Sequence, residues 1–185
     1  MMATTHAAVG LVLALPLLVL APDLAAVGAL ASLAGGVFPD LDLLAGQHRK
    51  TLHFPDYYWL GAVPALVAAA VAPSATTVAV AWFLLSAAVH SVSDAFGAGT
   101  EPRPWERTSA EAVYLHSRRR WIAPRYWVRY DGAPEDYLLT VLLLAPGLTH
   151  FGPTVGRVTL VLLTVGGAYT LVRKRLPDLE ERLLK

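Results

Sequence analysis

Six apolar runs, separated by short polar breaks, constrain this chain more than any single motif. They cover residues 7–21, 24–38, 57–71, 76–89, 137–148 and 154–172. Runs with so few charges are typical of membrane-spanning helices, for which about 20 residues is the ideal length. Only 16% of the residues are charged, whereas ordinary soluble domains contain about 25%. The pattern therefore predicts an all-α fold, a polytopic membrane helix bundle of about six transmembrane helices, and it disfavours a soluble globular enzyme.

The breaks between successive runs predict three helical hairpins whose tight turns lie on one side of the membrane. No Lys or Arg occurs in these turns, which lie at 21–23, 72–75 and 149–153. Every Lys and Arg except Arg157 lies instead in three other polar parts of the chain, at 39–56, 95–136 and 173–185. Basic loops stay on the cytoplasmic side of a membrane. We therefore expect a multi-pass protein of the cell (cytoplasmic) membrane, with this basic face and both termini in the cytoplasm.

The length of 185 residues suits a single integral-membrane domain. Its predicted parts are a four-helix half at 1–94, a cytoplasmic segment rich in Arg and Trp at 95–136, a helical hairpin at 137–172 and a basic tail at 173–185. A cleaved secretory signal peptide is the alternative interpretation of the first run. The basic residues that precede such a peptide are missing, however, and a second apolar run follows at once. We therefore expect the first run to stay in the bundle.

Histidines and aspartates collect at the predicted basic face, at the ends of successive runs. His6 opens the first helix, and the Pro-Asp-Leu-Asp motif at 39–42 closes the second. His90 and Asp94 close the fourth helix, and their spacing places both on one side of it. An ionisable group beside hydrocarbon is costly unless it is paired or bound to a cation. We therefore predict one shared metal site with these ligands: His6, Asp40, His48, His53, His90 and Asp94.

The ligand types limit the metal that such a site can hold. The chain contains no cysteine, so His and carboxylate must hold any metal ion. These ligands suit a divalent Zn, Mn, Fe or Mg ion, and the sequence does not select one of the four. A bound metal would polarise a phosphoryl or carbonyl oxygen and make water more acidic. Beside it, Asp42 is the predicted proton carrier and Arg49 the predicted holder of an anionic substrate.

Each of these residues also has an ordinary interpretation. Pro and Asp end helices and start turns, so the motif at 39–42 could be only a helix stop. His48 and Arg49 fit an ordinary cytoplasmic basic loop, and His90 with Asp94 could be a hydrogen-bonded structural pair. Jointly these interpretations are less attractive, because chance would scatter the residues over both faces of the membrane.

Several motifs, taken in order, are similar to those of a known family. They are Thr5-His6 with Gly10, the Pro-Asp-Leu-Asp motif, His48-Arg49-Lys50-Thr51-Leu52-His53, and His90-Ser91 with Asp94. Together they resemble the YdjM-like family of membrane-bound metal-dependent hydrolases, over about residues 4–97. The resemblance implies a membrane-embedded metal site and hydrolysis as the reaction. The chain departs from the family at Phe54-Pro55, where members often carry a small hydroxyl residue.

Two classes of function follow from these observations. The first is an integral-membrane metal-dependent hydrolase with its site at the cytoplasmic boundary of the membrane, acting on a phosphoester or lipid-derived substrate. The second is a non-enzymatic membrane protein, such as a metal-binding regulator. A transporter would need ionisable residues near the middle of the membrane, and the apolar runs lack them there.

Arginine alternates with aromatic residues at 114–130, within the cytoplasmic segment. This pattern occurs at nucleic-acid surfaces. It also occurs at membrane surfaces, where aromatic rings lie at the headgroup level and Arg contacts lipid phosphates. Because the segment is tethered between helices, we expect membrane lipid as its partner and no nucleic acid. Its position also leads to the hypothesis that it forms a lid over the site.

Overall fold

A computed structural model describes residues 1–183 of the chain, and helices dominate it. Short 3-10 turns and one two-stranded sheet connect the α-helices. In chain order the helices are α1 (Ala3–Leu13), α2 (Leu17–Leu20), α3 (Pro22–Val37), α4 (Tyr58–Val71), α5 (Ala75–Ser93), α6 (Pro134–Leu144), α7 (Pro153–Val172) and α8 (Leu176–Leu183). The strands between α5 and α6 are β1 (Val113–Leu115) and β2 (Arg120–Ile122).

The longest helices fall on the predicted apolar runs. Those long and apolar enough to cross a membrane lie in four segments: Ala3–Leu20, Pro22–Leu43, Ala75–Phe96 and Pro153–Arg182. Helix α4 is also apolar but has only 14 residues, and α6 has 11. The prediction of a mostly helical chain is therefore confirmed, and its composition is compatible with membrane association. The count of six crossings in three hairpins stays a prediction.

The all-α prediction did not include the small antiparallel sheet of β1 and β2. Val113 pairs with Ile122, and Leu115 pairs with Arg120. The turn between the strands closes through Arg119, whose φ of 48° lies in the left-handed region. Strands of three residues are too short to give a readable alternation of apolar and polar side chains. The sheet was therefore hidden within the pattern of Arg and aromatic residues.

Helix α3 packs against both α1 and α5. Small residues allow this close approach, because a Cβ atom on Gly36 would lie 2.6 Å from the carbonyl oxygen of His6. A Cβ atom on Gly10 would similarly overlap Ser32 and Ser86. Helix α4 packs on α5, while α6 and α7 pack on α1. The approach at Gly36 brings His6 to the end of α3, where the polar turn begins.

Helix α4 presents an apolar stripe to the outside of the bundle. More than half of each of these side chains is exposed, at helical spacing: Leu60, Val63, Val67 and Val71. Large apolar side chains are also exposed on α2 and α7. Extensive apolar exposure marks a surface that contacts lipid or another protein rather than water. The outer surface therefore fits membrane association.

Candidate metal centre

Four side chains meet at the end of the bundle where α1 begins and α3 and α5 end. The 3-10 turn after α3 supplies Asp40, and the following loop supplies His53. The end of α5 supplies His90 and Asp94. One nitrogen or oxygen atom from each residue lies within 4.8 Å of the other three, and Asp40 is the only partly exposed member of this group. We call these four residues the His/Asp cluster.

The distances in the His/Asp cluster match the edges of a small coordination polyhedron. His53 Nε2 lies 3.1 Å from His90 Nε2 and 3.0 Å from Asp94 Oδ2. Asp40 Oδ1 lies 3.5 Å from His53 Nε2 and 3.4 Å from His90 Nε2. His90 Nε2 lies 3.5 Å from Asp94 Oδ2. A tetrahedral site with metal–ligand bonds of about 2.0–2.1 Å has ligand–ligand edges of about 3.3–3.4 Å, so the cluster could hold one such ion.

Hydrogen bonds on the far side of each ring decide which histidine nitrogen carries the proton. His90 Nδ1 lies 2.6 Å from the carbonyl oxygen of Gly36. A carbonyl only accepts, so Nδ1 donates and Nε2 keeps its lone pair in the neutral ring. His53 Nδ1 lies 2.8 Å from Asp42 Oδ2, which places its proton in the same way. Metal-binding histidines are oriented like this, by an acceptor on the other ring nitrogen.

Asp94 contributes a buried oxygen that lacks a hydrogen bond, although positive groups lie near this carboxylate. Its Oδ2 is buried and makes no hydrogen bond within the described part of the chain. His53 Nε2 lies 3.0 Å from this oxygen and Arg49 Nε lies 3.9 Å from it, but neither contact has hydrogen-bond geometry. A buried acceptor without a donor costs about 1–3 kcal/mol. A cation in the cluster would remove that cost.

The carboxylates create a strongly negative field at His53. Burial lowers the pKa of this histidine, but its contacts with Asp40, Asp42 and Asp94 outweigh burial and raise the pKa to about 11. The field that holds a proton there also attracts a divalent cation. A divalent cation neutralises two carboxylates, whereas a proton neutralises one. Metal binding would displace the proton, because ligating imidazole must be neutral.

His6 lies beside the His/Asp cluster rather than within it. Its ring stacks on that of His90, with centroids 3.7 Å apart. Its Nε2 lies 2.9 Å from Asp94 Oδ1, and its Nδ1 lies 3.1 Å from Ser93 Oγ. Both ring nitrogens therefore have protein partners. In this position His6 orients Asp94, and its role as a direct ligand stays a prediction.

Asp42 links two histidines behind the cluster. Its Oδ2 contacts His53 Nδ1, and its Oδ1 lies 2.9 Å from His48 Nδ1. These three residues form a second group with metal-ligand atoms, which shares His53 with the first. Asp42 is buried, whereas the His48 side chain is 32% exposed. The contacts therefore lead from the cluster to the surface, although the proton-carrying role of Asp42 stays a prediction.

Arg49 is buried next to the cluster instead of projecting from its loop. Its guanidinium donates to the carbonyl oxygens of Ala98 at 2.5 Å and Ala112 at 3.4 Å. Its φ of 61° lies in the left-handed region, which residues with side chains seldom adopt. Arg49 thereby joins the 39–56 loop to the 95–136 segment. Its predicted contact with an anionic substrate stays a prediction.

A cavity of about 190 Å³ adjoins the cluster on the side of Asp40. Its polar lining includes Asp40, His48 and Arg49, and its apolar lining includes Leu43 and Val165. Leu43 and Val165 are 65% and 53% exposed, so they also belong to the apolar outer surface. The cavity therefore lies between the cluster and the surface that fits lipid.

The groups that position the cluster from behind were not predicted from the sequence. The carbonyl of Gly36 holds His90, and the carbonyls of Ala98 and Ala112 hold Arg49. A backbone carbonyl carries no residue-specific signal, so only a structure reveals it. Ser93 did carry a signal, as a hydroxyl residue beside Asp94 at the end of a helix.

Comparisons with known proteins do not assign the chain to a family. No family model, no curated protein and no solved structure matches it. The resemblance to the YdjM-like family therefore stays an expectation.

Proposed function

We propose that this chain is an integral-membrane metal-dependent hydrolase whose site lies at the cytoplasmic boundary of the membrane. The observation that carries the proposal is the His/Asp cluster, where imidazole nitrogens and carboxylate oxygens face one another over 3.0–3.5 Å. The resemblance to the YdjM-like family points to the same reaction. The possible spans and the one-sided distribution of Lys and Arg support a multi-pass arrangement with cytoplasmic termini.

The neighbouring residues can support metal-dependent hydrolysis. The residues that would hold the cation are Asp40, His53, His90 and Asp94. A divalent ion bound there would polarise a phosphoryl or carbonyl oxygen and lower the pKa of water. Asp42 and His48 offer a path along which a proton can move between His53 and solvent. Arg49 supplies positive charge near the cavity for an anionic substrate.

The cavity favours a phosphoester or lipid-derived substrate. Its polar side, near Asp40 and Arg49, suits a charged head, and its apolar side, near Leu43 and Val165, suits a hydrocarbon chain. Its volume of about 190 Å³ is below the roughly 300–1,000 Å³ of most small-molecule pockets. We therefore expect it to hold only the head of an amphiphile, with the chain remaining in lipid.

A metal-binding regulator without catalysis is the second candidate function. One observation favours it: all four atoms of the cluster come from the protein, as in closed structural zinc sites. Catalytic zinc sites keep one position open. In the hydrolase, Asp40 would be the ligand that is dispensable for holding the ion, because it is partly exposed and lines the cavity. In the regulator, Asp40 would be as essential as the other three.

Metal analysis combined with activity assays tests both candidates. The protein would be purified in detergent after growth with Zn, Mn, Fe or Mg, and tested against phosphatase, esterase and phospholipid substrates. We expect about one metal per chain and hydrolysis of an amphiphilic phosphoester. His53→Ala should lose metal and activity, whereas Arg157→Gln, in α7, should keep both. Metal without activity on any substrate favours the regulator, and wild type without metal contradicts both candidates.

The topology can be tested with introduced thiols, because the chain has no cysteine. Pro73 and Ala110 are exposed positions in a predicted outer turn and in the cytoplasmic segment, respectively. In intact cells, an impermeant thiol reagent should label Pro73→Cys and leave Ala110→Cys unlabelled until the membrane is opened. The reverse result would invert the proposed orientation.

A further inference from the structure

We propose that the tip of the β1–β2 hairpin binds the headgroups of anionic phospholipids. The tip carries Arg118, Arg119 and Arg120, and all three are exposed. The arginines that form ion pairs within the described residues are others, namely Arg49, Arg103, Arg129 and Arg173. The inference rests on the membrane insertion proposed above and is independent of hydrolysis.

Contacts with the start of α4 set the height of the hairpin relative to the membrane. The backbone amide of Ser117 donates to Asp56 Oδ2 at 2.6 Å, and the His116 ring packs on Phe54 at 4.6 Å. Asp56 precedes Leu60, where the exposed apolar stripe of α4 begins, by about one helical turn. The arginines therefore lie just outside the start of the apolar stripe, which in a bilayer is the level of the lipid phosphates.

Two exposed aromatic side chains mark the same level. Tyr57, directly before α4, is 47% exposed, and Trp127 is 73% exposed. Trp127 packs on Phe96 with ring centroids 4.5 Å apart, and Phe96 ends the apolar segment Ala75–Phe96. Tyr and Trp gather at the boundary between lipid and water. Tyr57 and Trp127 thus occupy positions expected at that boundary, and Tyr57 lies beside His116 of the hairpin, with ring centroids 6.1 Å apart.

The charge around the tip is complementary to an anionic lipid. Lys50 Nζ lies 4.5 Å from the centre of the Tyr114 ring on β1, which adds a fourth cation. The carboxylate of Asp56, which accepts a hydrogen bond from the Ser117 amide, keeps its negative charge, and the four cations outnumber it. Guanidinium groups bind phosphate oxygens through paired hydrogen bonds. A phosphatidylglycerol headgroup supplies such a phosphate with a net negative charge, whereas phosphatidylcholine has no net charge.

Native mass spectrometry of the detergent-purified protein tests the proposal. The probe is an equal mixture of phosphatidylglycerol and phosphatidylcholine. We expect wild type to retain phosphatidylglycerol preferentially, and the R118Q/R119Q/R120Q variant to lose about tenfold or more of this preference. R118K/R119K/R120K keeps the charge and should keep most of the preference. Arg157→Gln, the control at the opposite end of the bundle, should match wild type.

Other outcomes would overturn the inference. An unchanged lipid preference in R118Q/R119Q/R120Q would do so, and so would wild type that binds single-stranded nucleic acid but shows no lipid preference. Release of wild type from membranes by alkaline carbonate would remove membrane insertion and the inference together. Metal content should be the same in R118Q/R119Q/R120Q and wild type. Failure of hydrolysis alone would leave the lipid preference intact, so the two proposals fail separately.

Discussion

Two buried polar networks meet α1 at adjacent residues, and the protein satisfies them to different degrees. Thr5 Oγ1 lies 2.7 Å from Asp136 Oδ1 and 2.7 Å from Thr140 Oγ1, on α6. His6 turns instead toward α5 and the His/Asp cluster. Asp136 also accepts hydrogen bonds from two backbone amides, so both of its oxygens have donors. The network at Asp136 is therefore complete without any ligand.

In the His/Asp cluster, by contrast, one buried carboxylate oxygen lacks a hydrogen bond. His53 and His90 turn their Nε2 atoms toward each other, and Asp94 Oδ2 has no hydrogen bond among the residues described. Burial of polar groups therefore does not by itself mark a functional site. A better indication of a cation site is a buried group of ligand atoms that converge on one point and include an acceptor without a hydrogen bond.

The largest expected difference between the two networks is in metal content. We expect His53→Ala and Asp94→Ala to fall from about one bound metal per chain to nearly none. The Asp136→Ala variant should keep its bound metal, because the hydrogen bonds of Asp136 are complete and do not include the His/Asp cluster. Inductively coupled plasma mass spectrometry of the purified proteins measures this. Equal metal content in Asp94→Ala and wild type would show that the His/Asp cluster does not bind the metal.

Removing the metal should destabilise the protein only when the His/Asp cluster is intact. A chelator should lower the free energy of unfolding of wild type by about 4 kcal/mol when the metal was present at about a thousand times its Kd. Asp94→Ala should not respond, because it has no metal to lose. Unfolding in increasing SDS, with and without chelator, gives both values. A chelator effect of the same size in Asp94→Ala would place the metal elsewhere.

The complete network should contribute to stability and not to metal binding. Asp136→Ala leaves the Met2 amide and the Thr5 hydroxyl without their acceptor, which should cost about 1–3 kcal/mol of unfolding free energy. Asp136→Asn, which keeps one acceptor oxygen, should cost less. SDS unfolding of the metal-free proteins gives the difference. A change in metal affinity in Asp136→Asn would show that the networks are coupled through α1.

Replacing Asp42, which contacts His53, should weaken metal binding without abolishing it. Asp42→Asn keeps an acceptor for His53 but loses the charge, and we expect metal affinity to fall about 10–100-fold. Competition with a metal-binding dye measures the change. Thr51→Ala, in the same loop, removes only an exposed contact with the Gln47 amide and should leave the affinity unchanged. Complete loss of metal in Asp42→Asn would make Asp42 a ligand.

The smallest effect on stability is expected from an exposed ion pair that belongs to neither buried network. Arg129 donates to both carboxylate oxygens of Glu135 at 2.6 and 2.8 Å, and these hydrogen bonds lower the pKa of Glu135 to about 2. The folded pKa lies below the unfolded value of about 4.3. The pair therefore stabilises the protein above that pH and loses its contribution as the pH falls toward 2. In an NMR titration, Arg129→Gln should raise the Glu135 pKa, with no change in metal content.

Part of the site could be predicted because it depends on local spacing and on a one-sided pattern of charge. His90 and Asp94 are one helical turn apart, so any helix places them on one side. The alternation of runs and turns predicted that the ends of the second and fourth helices lie together. Four of the six predicted ligands form a group that could hold a metal ion, as expected for this end of the bundle.

Other features depended on contacts that no local pattern specifies. Arg49 resembled a free cation in a basic loop, but it is buried against the carbonyl of Ala98. His6 and His48 lie next to the cluster, and each reaches it through an aspartate. Spacing along the chain cannot distinguish a residue that binds a metal directly from one that contacts a metal-binding residue.

Local sequence alone specifies where the helices lie, which of their surfaces are apolar and which end of the bundle collects the ionisable residues. These are properties of short segments, set by hydropathy and by the placement of Lys and Arg. Which atoms face one another depends instead on contacts between distant parts of the chain. The approach of α1 and α3 at Gly36, and the turn that brings His53 to His90, join residues far apart in the chain. Whether a buried polar network is complete or needs a cation depends on those contacts.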